Sequence, residues 1–588
     1  MPKTKWMISA KKAEFDLIAS KYNIDPVVAR LIRNRDVIGD DNIDMFLNGD
    51  MSKLHDGRLM KGMEDAAALL LNKINNKCKI RIIGDYDVDG ISSTYILLKG
   101  LKTIGADVDH VIPHRIKDGY GLNDNLINEA HEDAVDTIIT CDNGISAYDQ
   151  IELANEYGIT VIVTDHHEVP YEINGEDKRY IIPNAAVVVD PKQEDCPYPF
   201  KSICGAVVAF KLVEILLGDK YPNVIEELIP FAAMATVCDV MELLDENRII
   251  VKEGIRLMNE PLNVGLKALK IITGLSDKPI ESYHFGFILG PTLNATGRLD
   301  TAKRALELFQ TESFDEACVI ATELKELNES RKKMTEDGTK KAIEIIEGMD
   351  SDAMKVIVIY LKDFHESIAG IIAGRIKEKY YKPTFVITDA EEGVKGSGRS
   401  IEGYDMYDAL VEVGDLFTKF GGHKMAAGIS LKSAEDIDVL RRRLNENANI
   451  SENDLIRKLH IDVPMPIGYI SQELVESFEL MEPTGTGNPK PLFATKNISV
   501  ISYRKVGSSR MIGKFVISDE YGHRYDMVYF DDLEDFDTFI TENFGESALD
   551  SLAAGMGRNI IIKIAYATDI NEFRGKRTVQ IIMKDYCI

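Results

Sequence analysis

The 588-residue sequence, with 45% hydrophobic and 28% charged residues, has the composition of a globular protein of roughly three or four domains, which excludes a wholly disordered chain. No apolar run reaches the length of a membrane span, and the N-terminus lacks a signal-peptide core, so we expect a cytoplasmic protein without a membrane partner. The seven cysteines are scattered and form no CxxC pair, which disfavours a disulfide framework or a zinc ribbon. The net charge of −27 means that any nucleic acid would have to bind a local basic region.

The first 250 residues divide into a helical start and an alternating α/β region. Residues 1–78 carry apolar side chains at helical spacing and are predicted as an N-terminal helical segment. Residues 79–250 alternate short apolar strands with amphipathic helices; the predicted strands are KIRIIG, HVIP, TIIT, TVIVTD and AAVVVD. This alternation predicts a doubly wound parallel sheet with helices on both faces.

The remaining chain is predicted as three further regions. Residues 251–345 read as a helical connector, and residues 346–458 read as a smaller α/β domain with a glycine-rich strand, VKGSGRS. Residues 459–588 contain five β-type segments with one helical stretch between them, which fits a small barrel such as an OB-fold.

The sharpest local signal is the acidic cluster GDYDVDGISS at 84–93. It places Asp85, Asp87 and Asp89 directly after the first predicted strand, where like charges repel unless a cation neutralises them. An EF-hand loop does not fit. Its twelfth position requires glutamate but would here be Ile96, and the preceding element is a strand. The other alternative is a solvated acidic turn.

Repetition of the pattern favours a metal site over a solvated turn. Asp142 follows TIIT, the run Asp165, His166 and His167 follows TVIVT, and Asp239 ends an apolar helical run. The carboxyl ends of parallel strands line one crevice, so these groups should converge. Oxygen and imidazole ligands suit Mn²⁺ or Mg²⁺, and the number of ligands is enough for two ions sharing one carboxylate, as in two-metal phosphoryl transfer.

Together, GDYDVDGISS, TCDNG, TDHHE and ATVCDVMEL resemble the four ordered motifs of the DHH phosphoesterase superfamily. The resemblance implies one metal on Asp85, Asp87 and bridging Asp142. It implies a second on the residues Asp89, Asp142, His166 and Asp239. It also implies catalytic roles for Asp142, His166 and His167, with Asp165 supporting the site.

Later segments resemble the RecJ family of single-strand-specific 5′→3′ exonucleases. The segments are IPHRIKDGYGLN, GPTLNATGRL, DFHESIAGIIAGRI, KGSGRSIEGY, FGGHKMAAGISL and EPTGTGNPKPLF. Thr292 departs from the family pattern near Arg298, which puts one phosphate contact in doubt. The candidate substrate-binding residues are Arg115, Tyr120, Arg298, Ser397, Arg399 and His423. Arg399 can grip phosphate and Tyr120 can stack on a base.

The resemblance implies a DHH catalytic domain, a DHH-associated substrate-binding domain and an OB-fold-like domain. It further implies hydrolysis of single-stranded DNA to mononucleotides in DNA repair and recombination, by a monomer with two Mn²⁺ or Mg²⁺ ions. A single-strand-binding protein and a helicase are implied partners. A narrow channel between the first two domains would exclude duplex DNA.

Local charge is compatible with a strand-binding face on the barrel. Residues 486–520 hold six lysines and arginines against two acids, whereas residues 521–560 hold nine acids against two arginines. We therefore expect a basic strand face separate from an acidic helical insert.

Two other functions are alternatives to the exonuclease. They are a DHH phosphodiesterase for short oligonucleotides or cyclic dinucleotides, and a non-enzymatic scaffold. ATP dependence is not expected, because no Walker loop is present.

Overall fold

The computed structural model describes residues 4–114, 121–174, 177–299, 302–349, 354–390, 393–507, 511–557, 559–573 and 575–588. The chain divides into two units. The sheet unit consists of Asp40–Met334 and Pro483–Pro489, and the barrel unit consists of Met1–Gly39, Thr335–Glu482 and Lys490–Ile588. In the described part of the chain, no helix combines the length and the apolar character that a membrane span requires.

Residues 4–78 contain one strand and four α-helices. They are β1 (Thr4–Ile8), α1 (Phe15–Tyr22), α2 (Pro26–Asn34), α3 (Asp40–Asn48) and α4 (Met63–Asn75). Strand β1 is a difference from the helical expectation. It pairs in parallel with residues 457–461, and Trp6 Nε1 donates to Asp585 Oδ2 at 2.7 Å. Half-buried and exposed side chains alternate over its first four residues, which is the period of a strand.

The predicted parallel sheet is present in the sheet unit. Its region comprises β2 (Lys79–Ile83), α5 (Val88–Thr103), β3 (Asp107–Val111), α6 (Asp124–Glu132), β4 (Thr137–Cys141), α7 (Tyr148–Glu156), β5 (Thr160–Thr164), β6 (Tyr171–Asn174), β7 (Asp177–Tyr180), β8 (Val187–Val189), α8 (Gly205–Leu217) and α9 (Pro222–Cys238). Five of these strands pair in the order β3-β2-β4-β5-β8, all in parallel. The chain turns to opposite sides of β2 to form β3 and β4, so the topological switch lies between β2 and β4.

Helices cover both faces of this sheet. On one face, Ile80 and Ile82 pack in a core with α5, α8 and α9. On the other face, Ile138 and Val161 pack with α6 and α7. The doubly wound α/β prediction is therefore confirmed. Strands β6 and β7 form a separate two-stranded hairpin that the sequence did not indicate.

The predicted connector region is a succession of helices. They are α10 (Asp245–Asn259), α11 (Val264–Ile272), α12 (Ser282–His284), α13 (Gly290–Leu299), α14 (Lys303–Gln310) and α15 (Phe314–Glu347). A π-helical segment, Phe285–Leu289, joins α12 to α13. Helix α15 is 34 residues long and carries the charged run seen in the sequence.

The barrel unit contains the smaller α/β domain. Its elements are β9 (Ile357–Leu361), α16 (Ala369–Tyr380), β10 (Thr384–Asp389), β11 (Val394–Arg399), α17 (Met406–Val411), β12 (Phe417–His423), β13 (Ala426–Leu431), α18 (Asp436–Asn447), β14 (Arg457–Ile461) and β15 (Val463–Pro464). Five strands pair in the order β12-β13-β11-β10-β9, and of these only β9 and β10 run parallel. This mixed sheet is the predicted smaller α/β domain.

A closed barrel follows. Its elements are α19 (Gln472–Ser477), β16 (Phe493–Val506), β17 (Ile512–Ser518), β18 (Arg524–Tyr529), α20 (Leu533–Phe544), α21 (Ser547–Ala553), β19 (Ile561–Phe573) and β20 (Lys576–Cys587). The strand order is β16-β17-β18-β20-β19, and a β16–β19 pairing closes the barrel. The two helices lie between the third and fourth barrel strands, so the OB-fold-like prediction is confirmed. The domain boundaries themselves stay a prediction.

A buried ion pair stabilises the interior of the sheet unit. Lys211 Nζ lies 2.9 Å from Glu246 Oε2, and neither side chain is exposed to solvent. Lys211 Nζ also donates to the carbonyl of His55 at 2.7 Å, and the Tyr198 hydroxyl donates to the other oxygen of Glu246. The ion pair compensates the charges of Lys211 and Glu246, each of which would be costly to bury without a partner.

Replacing Lys211 with methionine should destabilise the sheet unit, because the Glu246 carboxylate would lose its counter-charge. We expect Lys211→Met to lower the free energy of unfolding by about 3–5 kcal/mol in urea denaturation followed by circular dichroism. The double variant Lys211→Met/Glu246→Gln should recover most of the loss. Equal urea midpoints for Lys211→Met and the wild type would contradict this prediction.

Candidate metal centre

The acidic motif begins where strand β2 ends. Asp85 is fully buried there, and the Gly121 amide lies 3.4 Å from its Oδ1. Asp87 is the N-cap of α5, and its Oδ1 accepts from the amides of Asp89 and Gly90 at 2.9 and 3.1 Å. A Cβ at Gly90 would lie 2.5 Å from the Asp85 backbone, so the tight turn requires glycine.

The N-terminus of helix α8 holds the Asp89 side chain. Oδ2 of Asp89 accepts from the amide of Gly205 and Oδ1 of Asp89 accepts from the amide of Ala206, both at 2.7 Å. These amides belong to the first turn of α8, where a helix stabilises a carboxylate. A Cβ at Gly205 would lie 2.8 Å from the Cβ of Asp142, so glycine lets α8 approach the site.

Strand β4 brings Asp142 to the same edge. Its φ of 61° lies in the left-handed region, which a non-glycine residue adopts at a cost. The neighbouring Asn143 is buried, and its Nδ2 donates to the carbonyls of Ile83 and Cys141 at 3.1 and 2.9 Å. Asn143 thereby joins the ends of β2 and β4 at the switch point. Sequence reasoning missed this role, although the residue stands in the TCDNG motif.

The Asp-His-His run follows strand β5, and Asp165 organises it. Asp165 Oδ1 accepts from the amides of His166 and His167 at 2.8 and 3.3 Å and lies 2.7 Å from His167 Nδ1. Its Oδ2 accepts from the amide of Ile145 at 2.9 Å. With its oxygens so engaged, Asp165 fixes the orientation of the His167 imidazole and the backbone that carries His166.

His166 lies among three carboxylates that come from different elements. Its Nε2 is 3.0 Å from Asp142 Oδ1, 3.4 Å from Asp89 Oδ2 and 3.7 Å from Asp239 Oδ2. Asp239 is the C-cap residue of α9, next to the sheet edge. The structure thus gathers residues that are far apart in sequence.

The gathered side chains form three overlapping groups whose ligand atoms lie within 4.8 Å of one another. The groups are Asp85, Asp87 and Asp142; Asp89, His166 and Asp239; and Asp142, Asp165, His166 and His167. Each of the seven predicted metal or catalytic residues belongs to at least one of these groups. Asp142 is shared by the first and third groups, and His166 by the second and third.

Burial and mutual repulsion dominate the electrostatics of the aspartates. Burial, followed by the charge of Asp89, raises the pKa of Asp142 well above its usual range. The same two causes raise the pKa of Asp87 and raise the pKa of Asp239 to about 8. Without a cation, these carboxylates therefore resist ionisation.

The two histidines differ in charge. Burial lowers the pKa of His166, which favours a neutral imidazole with a lone pair. Burial is the largest single effect on His167 and acts to lower its pKa, but the hydrogen bond to Asp165 and the charges of Asp165, Asp239 and Asp89 together raise this pKa to about 9. For Asp165, burial is again the largest effect and acts to raise the pKa, but the His167 hydrogen bond, the charges of both histidines and the Ile145 amide together lower it.

The donor set fits hard divalent cations. The ligands are carboxylate oxygens and imidazole nitrogen, and Oδ2 of Asp239 is buried without a hydrogen-bond partner among the described residues. Burial raises the pKa of the nearby Cys204 and Cys238 thiols, so they stay protonated and are poor ligands. Mn²⁺ or Mg²⁺ suits these ligands.

Asp190 is a further acidic residue that the sequence reasoning missed. It is fully buried directly after β8, and its Oδ1 accepts from the amide of Lys192 at 2.7 Å. Burial, followed by the charge of Asp165, raises the pKa of Asp190 to about 7. The signal was present, since Asp190 ends the predicted strand AAVVVD at the same sheet edge.

Three predicted substrate-binding residues lie in the smaller domain of the barrel unit. Ser397 and Arg399 are on the same face of β11, and His423 ends β12. Arg399 and His423 are both in register with Ala426 of β13, so the three residues share one end of the sheet. A Cβ at Gly370 in α16 would lie 2.8 Å from Arg399 Nη2, so this helix closely approaches the guanidinium.

The other predicted substrate-binding residues are described only in part. Arg115 and Tyr120 lie outside the described residues, as does the side chain of Arg298. Thr292 is buried and accepts from Asn328 Nδ2 at 3.1 Å, which ties α13 to α15. The departure from the family pattern at Thr292 therefore concerns the packing of α13 against α15.

The basic face of the barrel is smaller than expected. Arg504 of β16 stands opposite Lys514 of β17, and neither forms an ion pair with a described side chain. Lys505, however, forms a 2.8 Å ion pair with Asp537 of α20. The expected separation of the basic strands from the acidic insert is thus wrong at this position, because the insert packs against β16.

The fold and the site define the class of protein, a DHH-type phosphoesterase. Residues 79–236 match the model of the DHH family, N-terminal domain. Residues 353–449 match the DHHA1 domain, and residues 461–585 match the RecJ OB domain.

The relatives narrow this class to one family. The chain is 35% identical to the single-stranded-DNA-specific exonuclease RecJ of Bacillus subtilis (strain 168), over 97% of this chain and 69% of that protein. It is 31% identical to the RecJ of Escherichia coli (strain K12), over 98% of this chain and 99% of that protein. The crystal structure of RecJ in complex with Mn²⁺ from Thermus thermophilus matches with a TM-score of 0.79 and 26% identity, covering 100% of this chain and 80% of that one. The chain belongs to the RecJ family.

Neutralising the Asp142 carboxylate should raise the stability of the metal-free protein and remove the stabilisation that metal binding gives. We expect metal-free Asp142→Asn to melt at a higher temperature than the metal-free wild type, because the free-energy cost of burying this carboxyl beside other aspartates is removed and asparagine tolerates the left-handed φ. With Mn²⁺ present the order should reverse. Each site contributes about 2.7 kcal/mol at one hundred times its Kd, and the variant loses this contribution.

Differential scanning calorimetry with and without Mn²⁺ measures both effects. Asp195→Ala is the control, because Asp195 is 71% exposed and pairs with Lys61 away from the cluster. The same melting temperature for the wild type with and without Mn²⁺ would contradict the prediction.

Proposed function

We propose that the chain is a two-metal-dependent exonuclease that hydrolyses single-stranded DNA from the 5′ end to mononucleotides, in DNA repair and recombination. The observation that supports this most strongly is the convergence of aspartates and histidines from β2, α5, β4, β5 and α9 on one sheet edge. The proposal places cleavage of the phosphodiester at this edge.

In this proposal Asp85, Asp87 and Asp142 would hold one Mn²⁺ or Mg²⁺ ion. The second ion would be held by Asp89, His166 and Asp239, with Asp142 beside His166. When bound, such ions lower the pKa of a water and stabilise the charge that develops on the leaving oxygen.

The histidines have different roles. Neutral His166 offers a nitrogen lone pair to a cation, which fits its lowered pKa. His167 is 43% exposed and is held by Asp165 through Nδ1, so its protonated ring can donate from Nε2 to a phosphate oxygen of the substrate. Asp165 keeps that proton in place by stabilising the positive charge of His167.

The smaller domain of the barrel unit has candidate phosphate-binding residues of its own. Arg399 can bind a phosphate with two parallel hydrogen bonds, and Ser397 and His423 share its end of the sheet. The close approach of Gly370 at the start of α16 adds helix amides near the Arg399 guanidinium. By resemblance, Arg115, Tyr120 and Arg298 of the sheet unit are further substrate-binding residues.

Single-stranded DNA is the substrate partner in this proposal, with the OB-fold-like barrel holding the strand. A single-strand-binding protein and a helicase as further partners, the monomeric state and the cytoplasmic location stay predictions.

An oligonucleotide labelled at one end or the other should reveal the polarity of degradation. With Mn²⁺, a 5′-labelled single strand should release labelled mononucleotide at once, whereas the same strand labelled at its 3′ end should shorten progressively. Asp142→Asn should reduce both signals to background, because the first cation loses one of its ligands and His166 of the second site loses the carboxylate beside it. Gel electrophoresis of timed samples gives the measurement.

Two outcomes would contradict the proposal. Release of the 3′ label first would reverse the polarity. Faster hydrolysis of a dinucleotide than of a long oligomer would favour the phosphodiesterase alternative.

The basic pair on the barrel should contribute to the salt dependence of binding. In the Asp142→Asn background, Arg504→Ala/Lys514→Ala should reduce the slope of log K against log salt by roughly 1.4 for single strands, since two phosphate contacts are lost. Fluorescence anisotropy measures this slope. Lys505→Ala is the matched control, because Lys505 is neutralised by Asp537 and should change the slope less. An equal reduction in both variants would disprove a specific role for the Arg504–Lys514 pair.

A further inference from the structure

An exposed aromatic pair lies on the helices that follow α11. The rings of Tyr283 and Phe287 are stacked, with centroids 4.9 Å apart and planes at 19°. Tyr283 is 55% exposed and Phe287 is 65% exposed. Isolated exposed apolar side chains are common, but these two rings are neighbours, and the outer face of a stacked pair is a surface on which a further flat ring can stack.

A π-helical segment produces this surface. The segment Phe285–Leu289 buries Phe285 and Leu289, while Tyr283 and Phe287 remain on the solvent side. Because π-helical turns are rare and occur frequently at functional sites, the segment is itself an indication of function. Gly286 faces inward, since a Cβ there would lie 3.4 Å from Val237 Cγ1.

The continuous helix formed by α12, the π-helical segment and α13 approaches residues next to the metal ligands at two points. At Gly290, a Cβ would lie 2.3 Å from the Sγ of Cys238, the residue before Asp239. At Gly297, a Cβ would lie 2.7 Å from the carbonyl oxygen of Tyr86, the residue between Asp85 and Asp87. The aromatic pair is therefore within two helical turns of residues that adjoin the metal ligands.

We propose that Tyr283 and Phe287 form a stacking platform for unpaired bases of the DNA strand that is being degraded. This rests on the proposed function. A base presents a flat π-face whatever its identity, so the platform holds a strand without reading its sequence. The helix that carries both rings contacts residues next to the metal ligands at Gly290 and Gly297, and this continuity favours a strand bound at the metal centre as the occupant.

The platform also contributes to single-strand selectivity. Bases in a duplex are stacked and paired, so their faces are not available to Tyr283 and Phe287 without unstacking. Phosphate contacts do not make this distinction, because both strands of a duplex carry phosphates. Loss of the rings should therefore weaken binding of single strands more than binding of duplex DNA.

The test uses the full chain in the Asp142→Asn background, with oligonucleotides that carry 2-aminopurine at one position after another. Tyr283→Ala and Phe287→Ala should each raise the Kd for a single strand roughly 5- to 150-fold and abolish the quenching of 2-aminopurine at one or two adjacent positions. Tyr283→Phe should retain both affinity and quenching, because the ring is kept. Tyr221→Ala is the control, since Tyr221 is 37% exposed and precedes α9 at the end opposite to Asp239.

The expected result also includes an unchanged Mn²⁺-dependent melting temperature in each alanine variant, which separates lost stacking from lost folding. Unchanged Kd and quenching in the double variant Tyr283→Ala/Phe287→Ala would overturn the proposal. A change in oligomeric state on sedimentation with unchanged DNA affinity would also overturn it, because the pair would then be a protein contact. Absence of nuclease activity in the wild type would instead refute the proposed function itself.

Discussion

Repulsion among buried aspartates is the constraint on which the sheet unit depends. Some of this charge is compensated within the fold, since Asp89 accepts from the first amides of α8 and Asp165 from His167. Asp142 and Asp239 receive less compensation, and burial with like charge raises the pKa of both. The unfolded chain carries no such penalty, so the site reduces stability until cations bind. The arrangement therefore sacrifices local stability for a preorganised ligand set, as functional sites commonly do.

The architecture explains why the repulsion is concentrated at one place. Parallel strands end at a common edge, and the switch between β2 and β4 opens a crevice there. Glycines at 90 and 205 let the backbone of α5 and the first turn of α8 come within contact distance of the aspartates. Asn143 bonds to carbonyls of two neighbouring strands and so fixes the separation of their ends. The precision of the ligand cluster thus comes from backbone contacts rather than from the ligands alone.

Much of the sheet unit could be predicted from the sequence, because its signals are local. Short apolar runs separated by amphipathic helices define the strands, and an aspartate directly after such a run has to lie at the carboxyl edge. What escaped prediction depends on distant partners. Asn143 acts through the carbonyl of Ile83, sixty positions away, and Lys505 is neutralised by Asp537 across the barrel. Strand β1 forms only because residues 457–461 supply its partner. A π-helical segment has no 3.6-residue signature, so the exposure of Phe287 could not be read from periodicity.

Selectivity for single strands needs an interaction that only unpaired DNA can offer. In the proposed mechanism the metal centre and the Arg399 end of the small sheet recognise phosphates, which single and double strands share. The surface charge does not supply selectivity either, since the net charge of −27 weakens general attraction to any polyanion and the basic pair on the barrel is small. Base faces are the remaining distinguishing feature, and they require flat apolar side chains that stay exposed. Tyr283 and Phe287 meet that requirement on a helix that adjoins the metal ligands. In a strongly acidic chain, stacking has the further advantage that salt does not screen it, so a strand can be held at ionic strengths where weak phosphate contacts fail.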